Sequence, residues 1–241
     1  MSLVILVLLA PLIAALLILA LRRSSEVIAL AGIGISFISA AGLLWLAIGF
    51  GGNTLELILP GLPDMPIRLL ATPLTSVFSA LVATVATFVL IYAVGYMRGD
   101  PEKPRFFATM LLFVTAMQAL VLAGDWITLL AAWELIGFSS YLLIGFWHGR
   151  PGVSSAATRA FLYTRSADLG LYIGVFVLIG AAGSSEISAT LATTGPAATI
   201  AGLLLLVAAI GKSAQVPLHD WLQRAMAGPT PVSALLHSAT L

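Results

Sequence analysis

IGKSAQVPLHDWLQRAMAGPTPVSALLHSATL, residues 210 to 241, is the stretch of sequence that decides the fold class. It follows a long apolar run, yet it carries five ionisable side chains: Lys212, His219, Asp220, Arg224 and His237. An ammonium group at bilayer depth is costly unless it is hydrated, paired or neutralised. A lysine in this position therefore predicts a functional site inside a membrane protein.

The composition of the whole chain agrees with a membrane environment. Of 241 residues, 60% are hydrophobic and only 9% are charged, against roughly 25% charged residues in a soluble domain. The net charge of +1 gives no reason to expect nucleic acid as a partner. The absence of cysteine excludes disulfides and Cys-ligated iron–sulfur clusters, and three scattered histidines argue against a metal centre. No phosphate-binding glycine motif is present, so we expect no cofactor in this chain.

Apolar runs predict an all-α integral membrane protein with about eight transmembrane helices. The runs are Ser2 to Leu21, Val27 to Phe50, Pro73 to Tyr96, Phe106 to Ala123, Trp126 to Trp147, Ser154 to Ala182, Ala197 to about Pro217, and Thr230 onward. The last run is shorter than the roughly 20 residues that a spanning helix needs. Residues 51 to 72 alternate polar and apolar side chains between turn formers, which predicts an extracytoplasmic loop with a short hairpin. Asp125 is the expected cap of the fifth span.

Basic residues predict the orientation of these helices. One side of the membrane receives the loops that carry Arg22, Arg23, Arg98, Lys103, Arg105 and Arg150, whereas the other side has mainly Arg68. The excess of basic residues in cytoplasmic loops puts the first set inside the cell. We therefore expect a multi-pass membrane protein with its N-terminus outside.

Three ionisable residues inside the predicted spans are candidates for a proton relay. A carboxylate in the position of Glu134 either pairs with a cation or takes up a proton near neutrality. Desolvation favours the neutral form of a lysine, so moving a nearby carboxylate on a facing helix can load or empty Lys212. His237 titrates near neutral pH and can pass the proton onward through water. The structural alternatives are a static Glu134–Lys212 ion pair and a hydrogen-bonded core histidine.

Charged residues near these three have supporting roles in the same prediction. Arg165 and Asp168 are three residues apart and share one helix face, where they can pair with each other or offer one charge to Glu134. Arg159, near one end of the sixth span, is either an interfacial cation or a relay member. His219 and Asp220, near the cytoplasmic end of the next span, form either a solvated face or a proton entry site.

Pro217 predicts a break in the seventh span. Proline removes one backbone donor and clashes with the preceding helical turn. Broken backbone at membrane depth is tolerated where protein or a water cavity surrounds it, and such breaks near a charge are typical of ion sites in transporters. We therefore expect a discontinuous seventh helix with Lys212 just ahead of the break, in preference to a plain helix end at the membrane surface.

Four motifs resemble a known family. They are GKSAQVPLHDWL (211 to 222), AMAGPTPVSALLHSAT (225 to 240), WELIGFSSYLLIGFW (133 to 147) and YAVGYMRGD (92 to 100). They are similar to the large antiporter-like subunits of respiratory complex I, of the subunit L (mitochondrial subunit 5) type, which are related to the Mrp antiporter subunits. The resemblance implies that Glu134, Lys212 and His237 form the relay of a proton half-channel, with Arg159, Arg165 and Asp168 as supporting charges.

The resemblance also implies a division of the chain. Family members have a core of about fourteen helices with two inverted five-helix repeats. Residues 1 to 105 correspond to the N-terminal three-helix region with its loop at 51 to 72, and residues 106 to 241 correspond to helices 4 to 8, which are most of the first repeat. We expect either a fragment of a longer protein or a partner chain that supplies the missing C-terminal half.

The function implied is proton translocation as part of an NADH-quinone oxidoreductase, driven by quinone reduction elsewhere in the complex. The chain itself holds no redox chemistry, so its expected role is that of a membrane subunit of a translocase. Its expected partners are the lipid bilayer and other membrane subunits of a complex I-like assembly. Two alternatives remain: a subunit of a cation/proton antiporter or bicarbonate-uptake complex without a redox partner, and a non-conducting membrane scaffold.

Overall fold

The computed structural model describes residues 2 to 49, 54 to 62 and 65 to 240. Its elements are, in order, α1 (Ser2–Leu21), α2 (Ser25–Gly49), β1 (Leu55–Leu62), β2 (Met65–Ala71), α3 (Pro73–Tyr96), α4 (Lys103–Val121), α5 (Trp126–Ile144), α6 (Val153–Ala182), α7 (Ile187–Thr190), α8 (Pro196–Lys212), α9 (Asp220–Ala225) and α10 (Thr230–Thr240). Parts of two predictions lie outside the described residues: the predicted end of the second span at Phe50, and positions 51 to 53, 63 and 64 of the loop.

Among the described residues, six helices, α1 to α6, are long and apolar enough to cross a membrane. The prediction of a helical, multi-pass membrane protein is therefore confirmed. Helices α1 and α3 begin and end at the predicted residues, and the other spans differ from their predicted ends by a few residues. The next apolar helix, α8, has 17 residues.

The chain groups into two compact units, Met1–Ala123 and Gly124–Leu241. This division differs from the predicted one at residue 105, because α4 packs against α1, α2 and α3 and therefore belongs to the first unit. The predicted boundary rested on where a repeat begins in the family that the sequence resembles, and as a repeat boundary it stays a prediction.

In the first unit, strands β1 and β2 pair antiparallel, which confirms the predicted short hairpin. The hairpin packs through Leu57 and Leu69 onto a buried apolar cluster that includes Val7 and Leu43. The amide of Leu70 donates a hydrogen bond of 2.6 Å to the carbonyl of Leu122 at the end of α4. Backbone pairing and apolar burial thus fix the hairpin to the ends of the helices.

In the second unit, α6 packs against α5, α8 and α9. Small residues bring α6 and α8 together: a Cβ on Gly170 would lie 2.5 Å from the carbonyl oxygen of Leu204, and one on Gly211 would lie 2.1 Å from the Cβ of Ala167. Close helix approach over small residues is a common form of packing in membranes. It carries Ala167 and Gly211, and with them the neighbouring Asp168 and Lys212, to the same level of the unit.

Helix α8 ends at Lys212, earlier than the predicted stop near Pro217. Ala214 has the left-handed φ of +50°, which ends the α-helical path two residues beyond Lys212. The indole Nε1 of Trp221 donates to the carbonyl of Gly211 at 2.9 Å and so satisfies one acceptor of the last turn. Pro217 lies in the connecting segment before α9. The break therefore follows Lys212 directly.

Candidate functional site: a charge cluster in the second unit

Glu134, on α5, meets two donors from α6. Arg165 donates through Nη1 to Glu134 Oε2, and Tyr172 donates through its hydroxyl to Glu134 Oε1. The same arginine nitrogen also donates to the hydroxyl of Tyr172 at 2.6 Å. Gly137, one turn after Glu134, lies beside the guanidinium group, since a Cβ there would be in ordinary van der Waals contact with Arg165 Nη2 at 3.4 Å. The charge of Glu134 is therefore balanced by Arg165.

Asp168, one turn after Arg165, is the most buried carboxylate of the cluster, with its side chain 2% exposed. Its Oδ1 accepts a hydrogen bond of 2.7 Å from the indole Nε1 of Trp133. Its Oδ2 lies 3.9 Å from Arg165 Nη1. Burial of a carboxylate requires hydrogen bonds and a counter-charge, and Asp168 receives both from these two residues.

Lys212, the last residue of α8, lies near the ring of Trp133. Its Nζ is 5.0 Å from the centroid of the Trp133 ring, within the range of a cation–π interaction. The charged groups near enough to act on it are Asp168, Arg165 and Glu134. Within the part of the chain that the structure describes, Lys212 forms no direct ion pair.

The predicted couple of Glu134 and Lys212 on facing helices stays a prediction, and the structure adds two charges beside it. Arg165 pairs with Glu134, and Asp168 is a second carboxylate that acts on Lys212. The reason is geometric, because α6 presents a long cation and a short carboxylate from one face and inserts both between α5 and α8. The two ends of the expected pair are linked through Arg165 and Asp168. Both arrangements predicted for Arg165 are observed, because it pairs closely with Glu134 and also lies 3.9 Å from Asp168.

A small cavity adjoins Lys212 in this unit. Its volume is about 20 Å³, and its lining includes Lys212, Ser140 and Thr164. The two hydroxyl groups donate to backbone carbonyls of their own helices, so their oxygens remain able to accept. A space of this volume accommodates about one water molecule. The cavity is therefore large enough to hold one water molecule beside Lys212.

His237 lies on α10, and its Nε2 is buried without a hydrogen-bond partner among the described residues. Its neighbour Leu236 lines the cavity beside Lys212, whereas His237 is absent from that lining as far as the chain is described. The structure thus brings His237 to the same unit as Glu134 and Lys212, without a hydrogen bond or ion pair to either among the described residues. Its place in a relay stays a prediction.

The residues predicted at the cytoplasmic end form a separate group. Asp220, at the start of α9, accepts a hydrogen bond of 2.7 Å from Arg224 one turn later. That bond lowers the pKa of the Asp220 carboxyl, and the positive charges of Arg224 and of Arg159 on α6 act in the same direction. His219 and Arg159 are both exposed. Exposed side chains are expected both for a proton entry site and for a solvated face. Both interpretations of His219 and Asp220 therefore remain.

Two residues of the cluster were missed in the sequence. Trp133 directly precedes Glu134 and has no charge that would mark it in the sequence, although it touches both Asp168 and Lys212. Tyr172 follows Asp168 by four residues, a spacing that places both on one face of a helix. That spacing could have indicated Tyr172, since a hydroxyl group beside two charged side chains on a membrane helix requires a hydrogen-bond partner.

Two family models match the chain. The model described as "NADH:quinone oxidoreductase/Mrp antiporter, TM" matches residues 123–241. The model described as "NADH-Ubiquinone oxidoreductase (complex I), chain 5 N-terminus" matches residues 61–107. The first match covers the whole of the second unit, and the second match lies within the first unit.

Two individual proteins are similar to this chain in sequence. NADH-quinone oxidoreductase subunit L of Mycobacterium tuberculosis (strain CDC 1551 / Oshkosh) is 44% identical over 172 residues, which is 70% of this chain and 27% of that protein. NAD(P)H-quinone oxidoreductase subunit 5, chloroplastic, of Nephroselmis olivacea is 37% identical over 234 residues, which is 92% of this chain and 36% of that protein. The chain thus spans about a quarter to a third of the length of these curated relatives.

A solved structure also matches. A chain in the structure of the Mrp complex from Dietzia sp. DQ12-45-1b has a TM-score of 0.85 and 28% sequence identity, and the match covers 100% of this chain and 27% of that one. The fold, the sequence relatives and the two family models agree. The chain belongs to the family of antiporter-like membrane subunits that includes complex I subunit L (subunit 5) and the related Mrp subunits.

Proposed function

We propose that this chain translocates protons as part of an antiporter-like subunit of an NADH-quinone oxidoreductase. The carrier is Lys212, and the charges that control it are Asp168, Arg165 and Glu134. The observation that supports the proposal is the continuous series of charged side chains from Glu134 through Arg165 and Asp168 towards Lys212. Charged groups inside a membrane bundle are costly, and they commonly mark ion pathways.

The proposed mechanism is electrostatic. With Arg165 held by Glu134, Lys212 has Asp168 as a counter-charge. A conformational change that brings a carboxylate closer to Lys212 strengthens its hold on a proton, and separation or neutralisation of the carboxylate releases that proton. The water-sized cavity lined by Ser140 and Thr164 receives the released proton. His237 passes the proton onward.

The energy needed is modest. Moving one charge against the membrane potential requires about 2.3 kcal/mol per 100 mV. Two unit charges 4 Å apart interact by about 4 kcal/mol at an effective dielectric constant near 20. Displacing one carboxylate or guanidinium group in a cluster of this size is therefore sufficient to drive one proton across.

The same proposal includes the surroundings of the chain. Its partners are other membrane subunits of a complex I-like assembly, because the relatives that it matches are named as such subunits. Quinone reduction elsewhere in that assembly drives the cycle, and no redox step takes place in this chain. The assembly lies in a bacterial-type inner membrane, with the N-terminus of the chain outside.

The likeness to a chain of an Mrp complex supports a second candidate. In that case the same cluster exchanges cations and protons without a redox partner. The two candidates share the role of Lys212 and differ in what drives it. Copurification separates them: NADH-oxidising and iron–sulfur subunits accompany the chain in the first case and are missing in the second.

Substitution Lys212→Ala in the complete assembly tests the proposal. We expect proton pumping to fall to the background of uncoupled membranes, since alanine cannot carry a proton, while NADH oxidation continues at a reduced rate. Pumping is measured as acidification of inverted membrane vesicles, with quinone reduction followed in parallel.

The chain contains one other lysine, Lys103, which pairs with Glu26 at 2.5 Å in the first unit. Lys103→Ala is the matched control and leaves the ratio of protons to electrons unchanged. An unaltered ratio in Lys212→Ala contradicts the proposal and supports the non-conducting scaffold.

A further inference from the structure

A groove with a wholly apolar lining runs between α1 and α2 in the first unit. Its cavity volume is about 330 Å³. We call it the α1–α2 groove, and its lining includes Ile5, Ala10, Ile13, Leu17, Ile28 and Ala31. The helices meet at its floor, where a Cβ on Gly32 would lie 2.4 Å from the Cβ of Ala14. Small side chains at the floor and larger ones at the rims create a trough open to one side.

The groove is long enough for a lipid acyl chain of one leaflet and continues beyond it. From Ile5 to Leu17 the lining extends over twelve residue steps of α1, which is about 18 Å at 1.5 Å per residue. Half of the hydrocarbon core of a bilayer measures about 15 Å. One end of the groove lies at the turn between the helices, because Leu17 is close to the end of α1 and Ile28 is in the first turn of α2.

That turn is positively charged. Arg22 and Arg23 are both exposed and follow the last turn of α1. Neither makes an ion pair with any residue that the structure describes. The nearest carboxylate in the sequence, Glu26, is taken up by Lys103 at 2.5 Å. Two uncompensated guanidinium groups therefore stand where a lipid headgroup meets the end of the groove, and guanidinium groups bind phosphate well.

We propose that the α1–α2 groove and the Arg22–Arg23 turn together bind one anionic phospholipid. An acyl chain lies along the groove, and the headgroup phosphate contacts the two arginines. The groove supplies the affinity for a chain, and the arginines supply the preference for a net negative headgroup. This site involves only the first unit, and it is independent of proton transfer in the second.

Photolabelling of the purified assembly in phosphatidylcholine nanodiscs tests the site. The probe is phosphatidylglycerol with a diazirine in its acyl chain, added as a minor component. A phosphatidylcholine with the same diazirine chain serves as the reference. After irradiation, labelled peptides are quantified by mass spectrometry. We expect the α1 and α2 peptides to take up at least three times more of the anionic probe than of the reference.

Variants separate the two parts of the site. Arg22→Gln with Arg23→Gln lowers the ratio of the two probes to about one, and Arg22→Lys with Arg23→Lys largely restores it. Arg98→Gln with Arg150→Gln removes the same charge from two other exposed loop positions and leaves the ratio unchanged. Ala31→Phe fills the groove and lowers labelling by both probes. Ile38→Phe, on an exposed part of α2 outside the groove, does not.

Three outcomes overturn the inference. Equal labelling by both probes in the unchanged protein shows that no anionic headgroup is preferred. Labelling that Ala31→Phe leaves unchanged shows that the chain does not lie in the groove. Protection of both helices from either probe, with a crosslink from the groove to another subunit, shows that a protein helix occupies it.

Discussion

Trp133 is the residue through which the two halves of the charge cluster meet. Its indole nitrogen holds Asp168 at 2.7 Å, and its ring lies 5.0 Å from the ammonium group of Lys212. A single rigid side chain thus fixes the position of a carboxylate and of the cation that it faces. We interpret Trp133 as a positioning residue, which contacts both charged groups and carries no proton itself.

Substitution Trp133→Phe removes the N–H group and keeps a ring beside Lys212. A hydrogen bond to a charged acceptor contributes about 1.5 to 3 kcal/mol, so we expect proton pumping to fall about tenfold or more. In a background of Asp168→Asn the same substitution has little further effect, because the acceptor that Trp133 acts on is already changed. Pumping in vesicles of the single and double variants measures this coupling.

The matched control is Trp126→Phe. Trp126 starts the same helix and donates its indole N–H to the hydroxyl of Thr190 at 2.8 Å, away from the charges. The Trp126→Phe variant loses a comparable hydrogen bond, and we expect its proton pumping to stay near that of the unchanged protein. Equal losses from both substitutions, or additive losses from Trp133→Phe and Asp168→Asn, contradict a positioning role for Trp133.

At the scale of elements, the seam between α6 and α8 determines where the charges meet. Gly170 and Gly174 on α6 leave room for the backbone of α8, and Gly211 on α8 leaves room for Ala167. Asp168 and Lys212 are next to these contacts in sequence. Any change that separates the two helices therefore also separates the carboxylate from the lysine. Stability and electrostatics are coupled at this seam.

Substitution Gly170→Ala tests the seam with one methyl group. Its Cβ would lie 2.5 Å from the carbonyl oxygen of Leu204, so the helices must move apart. We expect a loss of about 1 to 3 kcal/mol in stability, the usual cost of overpacking. The loss is measured by heating the purified assembly and recording the temperature at which this chain ceases to be soluble.

Gly180→Ala on the same helix is the control, since nothing lies within 4 Å of its added methyl group. The better helix propensity of alanine makes this variant neutral or slightly more stable. A Gly170→Ala protein as stable as Gly180→Ala indicates that the seam adapts freely and does not fix the distance between Asp168 and Lys212.

At the scale of the whole molecule, the chain consists of two compact units, each built around helices that can cross a membrane. Charge is scarce and asymmetric, with basic residues concentrated in alternate loops. That asymmetry predicts the orientation in the bilayer. Large apolar side chains such as Trp45, Leu81 and Phe176 remain uncovered by the chain itself. In a membrane they face lipid or other subunits.

Single cysteines test the predicted orientation, because the natural chain has none. Thr54→Cys, ahead of β1, is expected to react with a membrane-impermeant maleimide in right-side-out vesicles. Glu102→Cys, ahead of α4, and Gly149→Cys, ahead of α6, are expected to react in inverted vesicles. All three positions are exposed. The reverse pattern of labelling excludes an outside N-terminus. Labelling of Glu102→Cys and Gly149→Cys from the same side checks that alternate loops share one side of the membrane.

The sequence was sufficient for those features that depend on nearby residues. Runs of apolar residues determine where helices such as α1 and α3 begin and end, turn formers around an alternating segment determine the hairpin, and Asp125 caps α5 as expected through Thr128. Motifs also sufficed to identify the family. These signals are local, so they can be read along the chain without knowledge of how the helices pack.

Only the tertiary structure decided which charges meet. Glu134 and Arg165 are 31 residues apart, and Trp133 and Asp168 are 35 residues apart. Such pairings depend on how far each helix is rotated and on how closely glycines let neighbours approach. The sequence identified Glu134 and Lys212 as a couple of buried charges on facing helices. The packing of α6 against α5 and α8 placed Arg165 and Asp168 beside them, since side-chain partners across helices are set by that packing and not by spacing along the chain.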